Sequence, residues 1–193
     1  MMVGELKPDV SSLAQRLASF GTWLKLDAVP DEVHRVAKRC IIDLVGVAIA
    51  AASHPLTQQL LDHATAAYAQ DSATILGSRI RMSPVGAALV NGASAHVLDF
   101  DDTSYTGIMH GSAVVFPAAL AATEASSGDG RKLLEAFIVG SEVTYAVALM
   151  CTTEHYFKGW WSTATFGAFG AAAAAAKALG LSVEQTTSAL ALA

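Results

Sequence analysis

PDEVHRVAKRCIIDLVGVAIAAAS, from Pro30 to Ser53, is the stretch that decides the fold. Pro30 fixes the entry of a helix, and Asp31 and Glu32 suit its positive end. Val33, Val36, Ala37, Cys40, Ile41 and Leu44 then recur at the helical period. Beyond Cys40 the polar face disappears, because Ile42, Val47 and Ile49 fill the other side. This half is therefore expected to be enclosed by other helices. Asp43 is the one charge inside it, read as a carboxylate satisfied by backbone or hydroxyl donors in a helical core rather than as a catalytic group.

Similar patterns extend in both directions. Leu13, Leu17, Phe20 and Leu24 follow Ser11 and Ser12, either of which can cap a helix running to about Lys25. Pro55 restarts a helix to about Ala69, and Ala73 to Gly77 is long enough only for a brief extended stretch. Ser83-Pro84 opens a helix to about Val97. Asn91 to Ala95 within it are small enough to admit another backbone. Further helices are predicted from about Ser112 to Ala125, Asp129 to Cys151 and Thr163 to Leu179, with Asp129 as a cap and Gly180 as a stop. Ser182 to Gln185 has capping-box spacing and starts a last helix that is still running at Ala193. The prediction is an all-α, multi-helix fold, a single helical domain over residues 1–193 that forms part of a larger enzyme.

Composition agrees. The 193 residues are 53% hydrophobic and 15% charged, with a mean hydropathy of +0.43. More of the chain seeks burial than a lone globular domain provides, which implies oligomerisation or a missing partner segment. A net charge of -5 without any basic stripe excludes the footprint of a nucleic-acid binder. Cys40 and Cys151 lie in apolar runs and read as inert buried thiols, in keeping with a reducing cytoplasm. MMVGELKPDV lacks the pattern of a secretion signal. Ile41 to Ala52 is too short to span a membrane, Ala164 to Leu181 is mostly alanine with Lys177 inside it, and both read as buried helices.

The chemistry concentrates between two apolar helices, in HVLDFDDTSYTGIMHGS from His96 to Ser112. Its carboxylates Asp99, Asp101 and Asp102 could orient one another, raise one another's pKa, or collect a cation. EF-hand spacing, HExxH, CxxC and GxSxG are all absent, so metal and serine-nucleophile readings are not supported. Acid–base work by carboxylate and imidazole remains. His110 stands just before Gly111-Ser112, where a helix begins whose amides could hold an anion. On these grounds His110 could equally be a satisfied loop histidine, and Asp101 and Asp102 could equally be loop caps. A second cluster, His155 to Thr163, has the aromatic density of a pocket wall or of packed core, with Ser162 or Thr163 suited to cap the next helix.

These residues resemble a known family. Val90-Asn-Gly-Ala-Ser-Ala-His96-Val-Leu-Asp99-Phe-Asp-Asp-Thr103 followed by His110-Gly-Ser112 is similar to the signature of the MmgE/PrpD family. His155-Tyr-x-x-Gly-Trp160 followed by Thr163-Ala-Thr-Phe-Gly-Ala-Phe-Gly-Ala-Ala is similar to its second signature. The family includes 2-methylcitrate dehydratase, cis-aconitate decarboxylase and iminodisuccinate epimerase. These act beside a carboxylate without metal or organic cofactor.

The resemblance implies a large helical domain with an α/β lid that this chain lacks, a homodimer, no cofactor and a small polycarboxylate substrate. It places Asp99, Thr103 and His110 in the catalytic site, with His110 moving a proton. Asp102, Ser112, Lys158 and Trp161 are the substrate-binding candidates. The sequence departs from the family at Trp161, where the pattern has histidine and where indole cannot serve as a base. A lysine that the family supplies from a downstream part lies outside this chain. The expected function is a cofactor-free lyase or isomerase of a di- or tricarboxylate. The alternative is a truncated or divergent relative that serves as a binding or pairing scaffold.

Overall fold

The computed structural model describes residues 11–193, so the reading of the first ten residues lies outside it. Among the described residues there are nine α-helices and one two-stranded hairpin. The first helix, α1 (Leu13–Trp23), is opened by a capping box in which Ser12 and Gln15 satisfy each other's backbone amides. A 3-10 turn at Leu26–Ala28 leads to α2 (Asp31–Ala50), then α3 (Pro55–Ala67). Strands β1 (Ala73–Thr74) and β2 (Arg81–Met82) pair antiparallel. After them come α4 (Pro84–His96), α5 (Ser112–Ala125), α6 (Gly130–Cys151), the short α7 (Glu154–Phe157), α8 (Ser162–Leu179) and α9 (Val183–Leu192).

Helices α5, α6 and α8 pack on one another at the centre, with α4 and α2 on one side and α1 and α9 on the other. Small residues set how closely they approach. A Cβ built on Gly140 would lie 2.6 Å from the Gly170 carbonyl oxygen, so the α6 and α8 backbones are nearly in contact there. Pro117 within α5 cannot donate to the carbonyl four residues earlier, and it is that carbonyl, Ala113 O, that Gly92 of α4 faces. The small run Asn91 to Ala95 is thus used for a close helix approach. Asn91, which is buried, also accepts from Leu76 N at 2.9 Å and donates to Thr74 O at 2.8 Å, which ties the hairpin to α4.

Two expectations fail. Ile42 is 72% and Ile49 52% exposed, and Asp43 is exposed as well, because α2 is covered on one face only by described residues. Asp43 is therefore a solvated carboxylate, not a buried one. The cysteines are not enclosed either: Cys40 is half-buried and Cys151 is exposed at the end of α6. By length and composition α6 could cross a membrane, yet 56% of its most apolar window is buried among its neighbours, as in the core helix of a helical body.

Candidate functional site

The loop from Val97 to Gly111, between α4 and α5, carries most of the candidate residues. Asp99 turns the chain with a left-handed backbone (φ 50°), a conformation that aspartate tolerates. Ser104 and Met109 then exchange backbone hydrogen bonds of 2.8 and 3.0 Å, closing a small hairpin. Its return runs through Gly107 (φ 78°) and Ile108 (φ 52°), and a β-branched residue at positive φ is strained, at a cost of roughly 1–3 kcal/mol. The hairpin is held in place by burial. Met109 packs with Val147, Ala148 and Phe166, and a Cβ on Gly107 would come within 2.9 Å of Ala148. His110 follows directly, and its backbone N–H donates to Thr163 Oγ1 at 3.0 Å. Thr163 therefore anchors the loop, and α8 starts from Trp161 without a side-chain cap.

Around His110 the structure assembles a compact cluster. Asp101, whose side chain is 0% exposed, has both oxygens 3.1 Å from His96 Nδ1. Its Oδ2 also lies 3.2 Å from His110 Nδ1, but out of line, so that this buried nitrogen has no aligned hydrogen bond. Asp99 Oδ1 is 3.6 Å from His110 Nε2. The two imidazoles meet edge to face at 4.7 Å, and Trp161 lies 6.1 Å from the His96 ring.

His96, Asp99, Asp101 and His110 each bring a possible metal ligand within 4.8 Å of the others. The two carboxylates nevertheless address opposite nitrogens of His110, whereas one ion takes one nitrogen per imidazole and needs its remaining ligands on that side. The arrangement fits a hydrogen-bonding chain better than a metal centre.

Asp99, Thr103, His110 and Trp161 line one open hollow of about 380 Å³, together with Tyr105, Tyr156 and the hairpin. The other predicted contacts lie elsewhere. Asp102 accepts from Ser112 N at 3.1 Å and from Ser112 Oγ at 2.7 Å. The helix end that was expected to hold an outside anion thus carries the protein's own carboxylate. Asp102 and Ser112 line a different hollow, of about 130 Å³, beside Cys40 and Tyr145. There burial, with Asp102 adding to it, raises the Cys40 thiol, and the same two causes push the Tyr145 phenol up to about 12. Lys158 is exposed, pairs with Glu154 at 3.4 Å and does not line the first hollow.

Sequence reasoning missed the pairing of Asp101 with His96 across the end of α4; the faint signal was their separation of five residues spanning a helix terminus. Tyr145 carried no signal at all, since it sits mid-helix in an apolar run.

Among the described residues, this is a helical body with its candidate site on the histidine- and aspartate-bearing segment that links α4 to α5. The chain belongs to the MmgE/PrpD family, whose N-terminal domain matches residues 15–193. It is 29% identical over 201 residues to the cis-aconitate decarboxylase-like protein oryM of Aspergillus oryzae, covering 100% of this chain and 42% of that protein. It is 32% identical over 190 residues to cis-aconitate decarboxylase of Mus musculus, and equally to that of Homo sapiens, covering 95% of this chain and 39% of each. The chain thus spans about two-fifths of the length of these relatives.

Proposed function

We propose that this chain is the loop-bearing helical part of a lyase or isomerase that acts on a small di- or tricarboxylate by moving a proton at the carbon beside a carboxylate. The observation that carries this reading is His110. Its Nε2 lies on the side of Asp99 and its side chain lines the hollow, while its Nδ1 is buried against Asp101. An imidazole with one buried and one open nitrogen can give or take a proton near neutral pH. Thr103 on the same wall offers a hydroxyl to the substrate. For a decarboxylation, the carbon–carboxylate bond breaks, its electron pair stays on carbon, and a His110 imidazolium that has taken its Nε2 proton from solvent gives that proton to the carbon as carbon dioxide leaves.

The hollow explains part of the binding. Trp161 is both in its wall and at the start of α8, so the positive end of that helix lies close by. No lysine or arginine lines the hollow among the described residues. A polycarboxylate beside Asp99 therefore requires cations from residues outside it, supplied by further polypeptide or by a second chain. The chemistry needs neither metal nor organic cofactor, and we place the protein in the cytoplasm as a homodimer.

Trp161 favours a second reading, a relative that keeps the scaffold without turnover, because the resemblance puts a histidine at that position. Proton NMR in deuterated water with cis-aconitate, 2-methylcitrate and iminodisuccinate separates the two. Conversion of a substrate, or deuterium entering beside its carboxylate, supports the enzyme. No change with any of the three acids, for folded protein assayed together with the polypeptide or second chain that supplies those cations, supports the scaffold.

A further inference from the structure

Asp101 has a side chain removed from solvent, and the side chains that face it within 4 Å, among the described residues, include the imidazoles of His96 and His110. Burying a carboxylate costs several kcal/mol unless it is paired and hydrogen-bonded. His96 Nδ1 meets this need now, at 3.1 Å from both oxygens. His110 Nδ1 lies 3.2 Å from the same carboxylate but out of line with it, and is buried without any aligned partner. A buried donor left unpaired costs about 1–3 kcal/mol, and a small rotation of Asp101 relieves it. A carboxylate accepts and never donates when ionised, so each imidazole that satisfies it carries its proton on Nδ1.

We propose that Asp101 is a positioning residue that holds both His96 and His110 in the Nδ1–H form, leaving His110 Nε2 as the atom that faces the hollow. With both imidazoles neutral the trio carries one negative charge. When His110 takes up a proton on Nε2, the new charge is balanced by a carboxylate already beside it. His96, edge-on to His110 at 4.7 Å, holds Asp101 in place from the other side. The catalytic meaning of this arrangement rests on the function proposed above, but the proton positions do not.

The test is nitrogen-15 NMR of the imidazole rings in the folded protein, combined with steady-state turnover of whichever carboxylate proves to be a substrate. The wild-type protein is expected to show Nδ1–H in the neutral forms of both His96 and His110. In Asp101→Asn the side-chain amide can donate to Nδ1, so the proton moves to Nε2 in at least His110. kcat then falls by roughly 10²–10⁴ while KM stays within about threefold. A wild-type His110 that carries its proton on Nε2 overturns the proposal, even if the variant fails to fold. So does a folded Asp101→Asn protein with both tautomers unchanged. Nδ1–H on both rings without turnover of any carboxylate supports the positioning role and sinks only the assigned activity. Turnover by a wild-type protein with the reverse tautomer sinks the positioning role and leaves the activity standing.

Discussion

Replacing Gly170 by alanine tests how α6 and α8 are held together, because two opposing effects can be sized. In the middle of α8, alanine gains about 1 kcal/mol over glycine in helix propensity. Against this, the new Cβ would run into Thr144 Oγ1 and lie 2.7 Å from the Gly140 carbonyl oxygen and 2.9 Å from Val115 Cγ2. The threonine hydroxyl can turn away only by giving up its 2.8 Å bond to Gly140 O, and the backbone oxygen cannot yield at all without separating the helices. Overpacking costs about 1–3 kcal/mol, with roughly 1 kcal/mol more for the lost hydrogen bond. The net expectation is a loss of about 1–3 kcal/mol, or a fall in Tm of roughly 2–12 °C for a chain of this size. Gly46 on the exposed face of α2 is the control, since nothing lies within 4 Å of a Cβ there. Gly46→Ala should therefore stabilise by about 0.5–1 kcal/mol. Both are read by urea titration followed by far-ultraviolet circular dichroism. If Gly170→Ala were as stable as Gly46→Ala with the same helicity, the close approach of α6 and α8 would be refuted.

Asn91→Ala leaves Leu76 N and Thr74 O without their partner and should cost about 2–4 kcal/mol in the same titration. Asp102→Ala uncaps α5 and should cost about 1–2 kcal/mol, with Asp102→Asn recovering part of it. Tyr145 has a folded-state pKa of about 12, above the unfolded value near 10. Its contribution is therefore complete below pH 10 and is lost as pH rises towards 12, by at most roughly 3 kcal/mol. Tyr145→Phe should remove that part of the alkaline slope in thermal melts taken across this range. His110→Gln should lower turnover of the substrate by roughly 10²–10⁴ in a steady-state assay while leaving the circular dichroism spectrum unchanged.

What could be read from sequence was local. The cap at Ser12, one of the two serines offered, the capping box at Ser182, the cap at Asp129 and the stop at Gly180 stand where the pattern put them, because each involves residues within one turn. The brief extended stretch at Ala73 became β1, but its partner Arg81–Met82 was not foreseen, and neither was the single turn Glu154–Phe157. Hydrophobic pattern alone could not say which face of α2 finds a neighbour, which is why Ile42, Ile49 and Asp43 were misplaced.

The site was legible as a segment and not as a geometry. The density of acids and histidines marked the loop, but the contact that sets His110 comes from Thr163, 53 residues away. Nor does spacing reveal that Asp101 turns inward between two imidazoles while its neighbour Asp102 turns to α5. Adjacent residues on a loop point apart according to what packs behind them, and that information is tertiary.

Lys177 of α8 donates to the carbonyls of Thr22 and Leu24, the last groups of α1, and faces Glu135 of α6 at 3.4 Å. The first described helix is thus finished by an ammonium that lies more than 150 residues further along the chain. During synthesis α1 leaves the ribosome long before that partner exists, so it waits with an open end until α8 has been made and docked. The order in which the helices are translated is therefore not the order in which they can be completed.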